Sequence, residues 1–402
     1  MKTQQNFGLL GSLYVAQYLP IAFFFQALPV FFRQQGVSLD AIGLIMFLAL
    51  PWMLKFLWSP LVDRYGWTKW GHYRSWIIAM QSLLVLTLIT CAVFDIKENL
   101  SMVLIGLFLV CLFASTQDIA TDALAIGFLD PSERGFANGI QSGGNYLGGI
   151  IGGGGLLILL NLWGWTNSLL VMAFLILLLM IPVLLHQEHP IIRTTERRPN
   201  FMTLVNFCRR PRMGTWLLVL LLYMMGSNST NVMFRSLLVD IGLSLSDIGL
   251  LTGVVGYSAG LVGAIFAGFL IKPLGRKRSL IIFGLLQTMS VASLLLPAVG
   301  FTALPVLYLV AIAFQLIVSM AYTIVSTIMM DNSSQNTPGT DYTLQVAVLY
   351  IGSLAMSGIS GFIAEAIGYT GLFAVSTVIC LVSVVVTAKI FTTFPTEKLE
   401  TI

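Results

Sequence analysis

Apolar residues along this chain gather into long blocks separated by short polar breaks. A segment needs roughly 20 apolar residues to cross the hydrocarbon core of a bilayer. Blocks of that size fall at 9–32, 42–62, 75–94, 100–128, 135–160, 165–185, 213–239, 246–271, 279–298, 303–330, 341–366 and 370–392. Backbone groups in lipid must be satisfied within their own segment, so each block is expected to be a helix. The pattern predicts an all-α integral membrane protein with twelve spans. The first block runs past Val30, longer than the apolar core of a cleavable leader, so it is expected to remain as a span.

The polar breaks carry the orientation. With both termini cytoplasmic, the inner side holds seventeen of the 21 Lys and Arg residues, among them Arg64, Lys69, Arg74, Arg134, Arg209, Arg210, Arg212, Arg276, Lys277 and Arg278. The outer side then holds only Arg33, Lys97 and Arg235, and Lys55 lies inside span 2. The positive-inside rule therefore predicts an N-in, C-in arrangement. The longest break is basic, runs from His186 to Arg212 and contains Pro190, Pro199 and Pro211. It divides the chain into an expected six-helix bundle at 1–185, a cytoplasmic linker at 186–212 with room for a short surface helix, and a second six-helix bundle at 213–402.

The two halves also read as repeats. Ser38-Leu39-Asp40-Ala41-Ile42-Gly43 opens span 2, and Leu245-Ser246-Asp247-Ile248-Gly249 opens span 8. A charged turn closes each of these spans, Ser59-Pro60-Leu61-Val62-Asp63-Arg64-Tyr65-Gly66 in the first half and Gly268 to Arg278 in the second. Gln141–Gly148 likewise matches Gln345–Gly352. Duplicated halves are the usual construction of secondary transporters, whose solute sites lie near the bilayer midplane.

Composition agrees with the blocks. The chain has 402 residues, of which 57% are hydrophobic and 9% charged, against about 25% charged in a soluble domain. Cys91, Cys111, Cys208 and Cys380 lack metal-like or redox spacing, and His72, His186 and His189 lie in loop-like stretches, so neither a metal nor a cofactor is expected. No Walker sequence or catalytic constellation is present, which argues against an enzyme. The longest break leaves no room for a soluble receptor domain. Organelle-targeting features are absent too, and a bacterial inner membrane is the expected location.

Charge inside the spans is the first candidate chemistry. Lys55 lies in span 2, eight residues before Asp63; Asp118 and Asp122 lie one turn apart in span 4, and Asp122 is eight residues before Asp130. Eight residues of helix rise about 12 Å, which places Lys55 and Asp122 at similar depth. Ionisable groups there are costly unless paired or facing water. Lys55 is expected to pair with Asp118 or Asp122, leaving the other acid for proton coupling; a static ion pair is the alternative. Span 7 carries Asn228, Asn231 and Arg235 on one face, and span 1 carries Tyr14, Gln17 and Tyr18, with Gln26 further along. Glycines recur at spacings of four in spans 5 and 8, including Gly143, Gly148, Gly256 and Gly260, a pattern that lets helix backbones approach closely.

Pro60 to Gly66 with the following basic residues resembles the major facilitator loop signature G-x-L-x-D-R-x-G-R-K/R. The leading glycine is Ser59 here, the basic pair is delayed to Lys69, and the second copy has Lys272 where the acid belongs. Leu50-Pro51-Trp52-Met53-Leu54-Lys55-Phe56-Leu57-Trp58, Ser115-Thr116-Gln117-Asp118-Ile119-Ala120-Thr121-Asp122-Ala123 and Glu133-Arg134-Gly135 together resemble the AmpG-like branch of that superfamily. The close match covers roughly residues 40–155. This branch holds muropeptide permeases, acetyl-CoA transporters and compact siderophore permeases of the RhtX/FptX type. The resemblance implies that Asp63 accepts from the N-terminus of a facing helix and that Arg64 pairs with an acid at a neighbouring helix end. Asp130, Arg134 and the four glycines join them as gating residues. It also implies that spans 1 and 7 line the central cavity, with Gln315 and Tyr322 of span 10 beside them. Arg235 then suits a carboxylate, unless it snorkels to the outer surface. The implied activity is proton-coupled import, by a monomer, of a siderophore, which the short chain favours, with a muropeptide as the alternative. The expected partners are the solute, protons and the bilayer, without nucleic acid.

Overall fold

The computed structural model describes residues 2–34, 48, 50–66, 69–94, 99–188 and 199–391. Every regular element among them is helical. The first half contains α1 (Lys2–Ala22), α2 (Leu28–Gln34), α3 (Leu50–Leu54), α4 (Ser59–Arg64), α5 (His72–Val93), α6 (Leu100–Phe128), α7 (Arg134–Gly149) and α8 (Leu156–Leu185). After α9 (Phe201–Cys208) come α10 (Met213–Tyr223), α11 (Met225–Asp240), α12 (Leu245–Ile248), α13 (Gly256–Leu274), α14 (Arg276–Ser293), α15 (Leu295–Ala298), α16 (Leu304–Asp331) and α17 (Pro338–Ile390). The opening of span 2 at Ser38–Gly43, together with Lys97, His189, Pro190, Arg193, Arg197, Arg198 and Lys398, lies outside the described residues. His72, expected in a loop, is instead the first residue of α5, with its Nε2 at 2.9 Å from the Val62 carbonyl oxygen.

Among the described residues, nine helical stretches are long and apolar enough to cross a membrane. Two of them, 134–185 and 338–390, run 52 and 53 residues. At 1.5 Å per residue each exceeds about 75 Å, more than twice the roughly 30 Å hydrocarbon core. Each is broken at one glycine: Gly164 (φ 74°, ψ −175°) and Gly368 (φ 72°, ψ 172°). That backbone conformation is open to glycine and strained for other residues. Both breaks fall in the gaps between apolar blocks. Local chemistry sets other ends. Ser244 and Asp247 cap the start of α12 reciprocally, with Asp247 N–H donating to Ser244 Oγ at 3.1 Å and Ser244 Oγ donating to the carboxylate at 2.6 Å; this satisfies an otherwise orphaned helix donor. π-helical turns at Phe23–Ala27, Ile150–Gly155 and Gly249–Val255 interrupt three of the crossings.

The chain divides into two compact units. The first holds 1–129, 144–203 and 333–343, and the second holds 130–143, 204–332 and 344–402. In the first unit Phe23, Phe31 and Phe32 surround Trp165, whose indole N–H donates to the Cys91 carbonyl at 2.9 Å. A separate cluster joins Val62, Tyr73, Ile77, Leu124, Met180 and Val183. The second unit is built around Phe234, Leu237, Leu251, Phe314, Leu372 and Phe373. In both units, large apolar side chains face outward, among them Leu185, Phe362 and Phe269 at 79%, 75% and 61% exposure. Exposed apolar surface on that scale is unsuited to water and suited to acyl chains.

Candidate functional site

The charged groups expected inside spans 2 and 4, Lys55, Asp118 and Asp122, meet in the interior of the first unit. On α1, Tyr14 and Gln17 are three residues apart; on α6, Asp118 and Asp122 are four apart. The helices run antiparallel, so the two ladders pair off. Tyr14 Oη donates to Asp122 Oδ1 at 3.1 Å, and Gln17 Nε2 donates to Asp118 Oδ1. Lys55, on the single 3₁₀ turn Lys55–Leu57 between α3 and α4, donates to the second oxygen of Asp118. It also interacts electrostatically with Asp122, and its ammonium lies 5.2 Å from the centroid of the Trp52 ring. Tyr14, Gln17, Lys55, Asp118 and Asp122 are all at most 4% exposed. The sequence left the partner of Lys55 open between two acids; the ion pair is with Asp118. Two carboxylates and one ammonium leave a formal charge of −1. Gln17 Oε1 and Thr121 Oγ1 are buried beside them with hydrogen-bonding capacity unused.

The face of α7 that carries glycines explains how α1 comes so close. A Cβ on Gly144 would lie 2.7 Å from the Tyr14 Cβ, and one on Gly148 would lie 2.7 Å from the Tyr18 Cβ. On the following turn, Gly152 abuts the Leu19 carbonyl and Gly153 abuts Gln26. Missing side chains thus let the backbone of α1 lie against its neighbour and fix the direction in which Tyr14 and Gln17 point.

A second group forms at the end of α4. Asp63, fully buried, accepts hydrogen bonds from Tyr73 Oη (2.8 Å), Gly339 N (3.1 Å), Thr340 N (2.7 Å) and Thr340 Oγ1 (2.6 Å). Gly339 and Thr340 belong to the first turn of α17, so the carboxylate satisfies orphaned amides and faces the positive end of the helix dipole. Neighbouring Arg64 stacks its guanidinium 5.2 Å from the Tyr65 ring centroid and, among the described residues, has no carboxylate within ion-pair distance.

In the second unit, Asp331 at the end of α16 bridges two arginines. Arg134 Nη1 lies 3.1 Å from Oδ1, and Arg276 Nε lies 2.6 Å from Oδ2. Arg134 also donates to the Met330 carbonyl, and Arg276 to the Pro131 carbonyl. Here the ends of α7 and α13 meet through glycine rather than through an acid: a Cβ on Gly139 would lie 2.9 Å from the Ala264 carbonyl and 3.4 Å from the Gly268 Cα. Gly143 lies against Leu261, Gly256 against Gln315, and Gly260 is buried. Asp130 is exposed.

The remaining solute candidates are more dispersed. Asn228 donates to Ser353 Oγ at 2.7 Å. Gln315 is buried, Tyr18, Gln26, Asn231 and Tyr322 are partly buried, and Arg235 is exposed. Sequence reasoning missed Asp331, Tyr73, Thr340 and Glu188. Asp331 had one signal, an isolated acid where a long apolar block ends. Glu188 had none, because its partners are backbone: its carboxylate accepts from Tyr73 N and Arg74 N at 3.2 and 2.8 Å, while Arg74 donates to the Val183 and Leu184 carbonyls at 2.9 and 2.6 Å. The start of α5 and the end of α8 are thereby capped reciprocally.

Comparison with known proteins follows the same lines. A family model described as Major Facilitator Superfamily matches residues 10–356. An uncharacterized protein of Haemophilus influenzae is 29% identical over 281 residues, 68% of this chain and 66% of that one. The anhydromuropeptide permease of Escherichia coli K12 is 26% identical over 379 residues, 93% of this chain and 77% of the permease. The putative transporter AmpG 3 of Rickettsia prowazekii is 24% identical, covering 94% of this chain and 92% of its own length. Among solved structures, the major facilitator transporter FucP in its outward conformation superposes with a TM-score of 0.75 at 15% identity, covering 96% of this chain and 99% of FucP. A bacterial homologue of the iron transporter ferroportin in its outward-facing state gives 0.70 at 18%, covering 96% and 98%. At such identities these two speak of the fold alone.

Proposed function

This chain belongs to the Major Facilitator Superfamily, in its AmpG-like branch, as a multi-pass protein of the bacterial inner membrane, and from that premise we propose that it imports an anhydromuropeptide or a closely similar cell-wall fragment. The observation that carries the cargo is the match to the E. coli anhydromuropeptide permease along 93% of this chain. The siderophore expectation rested on chain length, and that reason fails. The Rickettsia AmpG protein is matched over 92% of its own length, so a chain of about this size is ordinary within the branch.

The proposed topology is twelve spans, N-in and C-in, with the broken stretches 134–185 and 338–390 crossing twice each. Two six-helix halves, 1–185 and 213–402, flank the 186–212 linker, and the protein works as a monomer. In the proposed mechanism a proton enters the Lys55–Asp118–Asp122 cluster, whose formal charge of −1 it neutralises. A protonated Asp118 holds Lys55 and Gln17 less tightly, which loosens the tie between α1, the 3₁₀ turn and α6. The Asp63 contact with the start of α17 forms in one transport state and parts in the other, and Asp331 with its two arginines does the same for α7, α14 and α16. Tyr14, Gln17, Tyr18, Gln26, Asn228, Asn231, Arg235, Gln315 and Tyr322 are the candidate solute contacts.

The test is uptake of labelled anhydromuropeptide against labelled ferric siderophore in cells lacking their own permeases for both. Accumulation of the cell-wall fragment alone supports the proposal. Accumulation of the siderophore alone overturns the cargo while leaving the family untouched.

A further inference from the structure

Helix α9 has the wrong side outward for water. Phe201, Met202 and Val205 are 61%, 56% and 42% exposed, whereas Phe207 is fully buried. Positions 201, 205, 208 and 209 recur at helical spacing and share an exposed face, so this face is apolar along its length and ends in Cys208 and Arg209. Asn206 is its exposed polar neighbour.

Chain connectivity fixes where that face lies. α10 starts at Met213 and opens the membrane-length stretch Met213–Asp240. Only residues 209–212 separate α9 from it, and four extended residues reach at most about 14 Å. α9 therefore ends within about 14 Å of the start of a membrane crossing. The connector is itself cationic. Arg209 and Arg212 are exposed, and Arg210 folds back, its guanidinium 4.7 Å from the Phe207 ring centroid. Arg212 has a φ of 65°, and among the described residues it is the one non-glycine with a positive φ. A side chain other than glycine is strained there. The strained backbone starts α10 at a residue whose charge stays outside the helix.

We propose that α9 and its connector form a docking site for anionic phospholipid: Phe201, Met202 and Val205 enter the acyl boundary while Arg209 and Arg212 hold headgroup phosphates. The apolar face supplies burial and the two guanidiniums supply charge complementarity. That combination marks an in-plane interfacial helix that favours anionic lipid. The site is independent of the solute, and its failure would leave the transport reading untouched.

Cys208 offers the reporter, since it is exposed while Cys91, Cys111 and Cys380 are buried. The full chain, labelled at Cys208 with an environment-sensitive fluorophore, is reconstituted into vesicles of phosphatidylcholine alone and of phosphatidylcholine with phosphatidylglycerol. The expected result is a blue-shifted, quencher-protected reporter in the phosphatidylglycerol vesicles. Arg209→Gln and Arg212→Gln should each lower the ratio of protected to accessible reporter about fivefold, the effect of one cation at an anionic surface, and added salt should act in the same direction. Phe201→Ser/Val205→Ser should abolish protection in both vesicle types. Equal protection in both lipids, unmoved by the arginine variants, overturns headgroup recognition. A reporter accessible to water in both overturns the site.

Discussion

Lys55 makes the sharpest test of the buried cluster, because one ammonium there answers two carboxylates. In Lys55→Met the long apolar stem is kept and the charge removed, leaving Asp118 and Asp122 both facing a low-dielectric interior. Removing one partner of a buried pair costs about 3–5 kcal/mol. Asp118→Asn acts differently. Its amide oxygen still accepts from Gln17 Nε2, and Lys55 keeps Asp122 as a charge partner, so the expected cost is that of one charged hydrogen bond, about 1.5–3 kcal/mol. In Lys55→Met/Asp118→Asn one unpaired acid remains instead of two, and the double variant should be more stable than the sum of the singles predicts by about 1–2 kcal/mol, in the range of couplings between contacting residues. The assay is equilibrium unfolding of the four proteins in mixed micelles, followed by loss of helical signal. Costs that simply add, or an Asp118→Asn penalty equal to that of Lys55→Met, would refute a shared cluster with a charge surplus.

Other expectations follow from the same contacts. Asp118→Asn and Asp122→Asn should each abolish proton-driven accumulation while sparing exchange of solute across the membrane; undiminished accumulation in both variants would remove the coupling role. Asp63→Ala strips an acceptor from four donors, and with about 2 kcal/mol lost amide exchange at Gly339 and Thr340 should accelerate roughly thirtyfold, as hydrogen-exchange mass spectrometry would read. Gly152→Ala must displace the Leu19 backbone and should cost about 1–3 kcal/mol, whereas Gly154→Ala meets nothing within 4 Å and should leave unfolding unchanged. Asp331→Asn, which unbalances Arg134 and Arg276 together, should destabilise the protein more than Arg276→Gln in the same unfolding assay.

Much of this molecule is legible in one dimension. Lipid cannot hydrogen-bond to backbone, so each crossing must be helical and apolar over a fixed length, and wherever the chain is described the resulting blocks agree with the helices to within a few residues, apart from α1, which starts seven residues ahead of the first block. Gaps of a few residues at 161–164 and 367–369 were enough to mark the breaks that Gly164 and Gly368 make. The cost of burying charge in lipid singled out Lys55, Asp118 and Asp122 without any neighbour being known. Pairing is another matter. Whether Lys55 meets Asp118 or Asp122 depends on how α1, α6 and the 3₁₀ turn are rotated and staggered, and both acids lie on one face at nearly one depth. Thr340 answers Asp63 across 277 residues, and Asp331 answers Arg134 across 197; no local pattern encodes such separations. Gly152 and Gly154 stand two apart in one glycine run, yet only the first has another backbone against it. Helix length and burial cost are properties of a segment in its solvent, and the sequence determined them. Partners are properties of helix rotation and register, and the tertiary structure alone decided those.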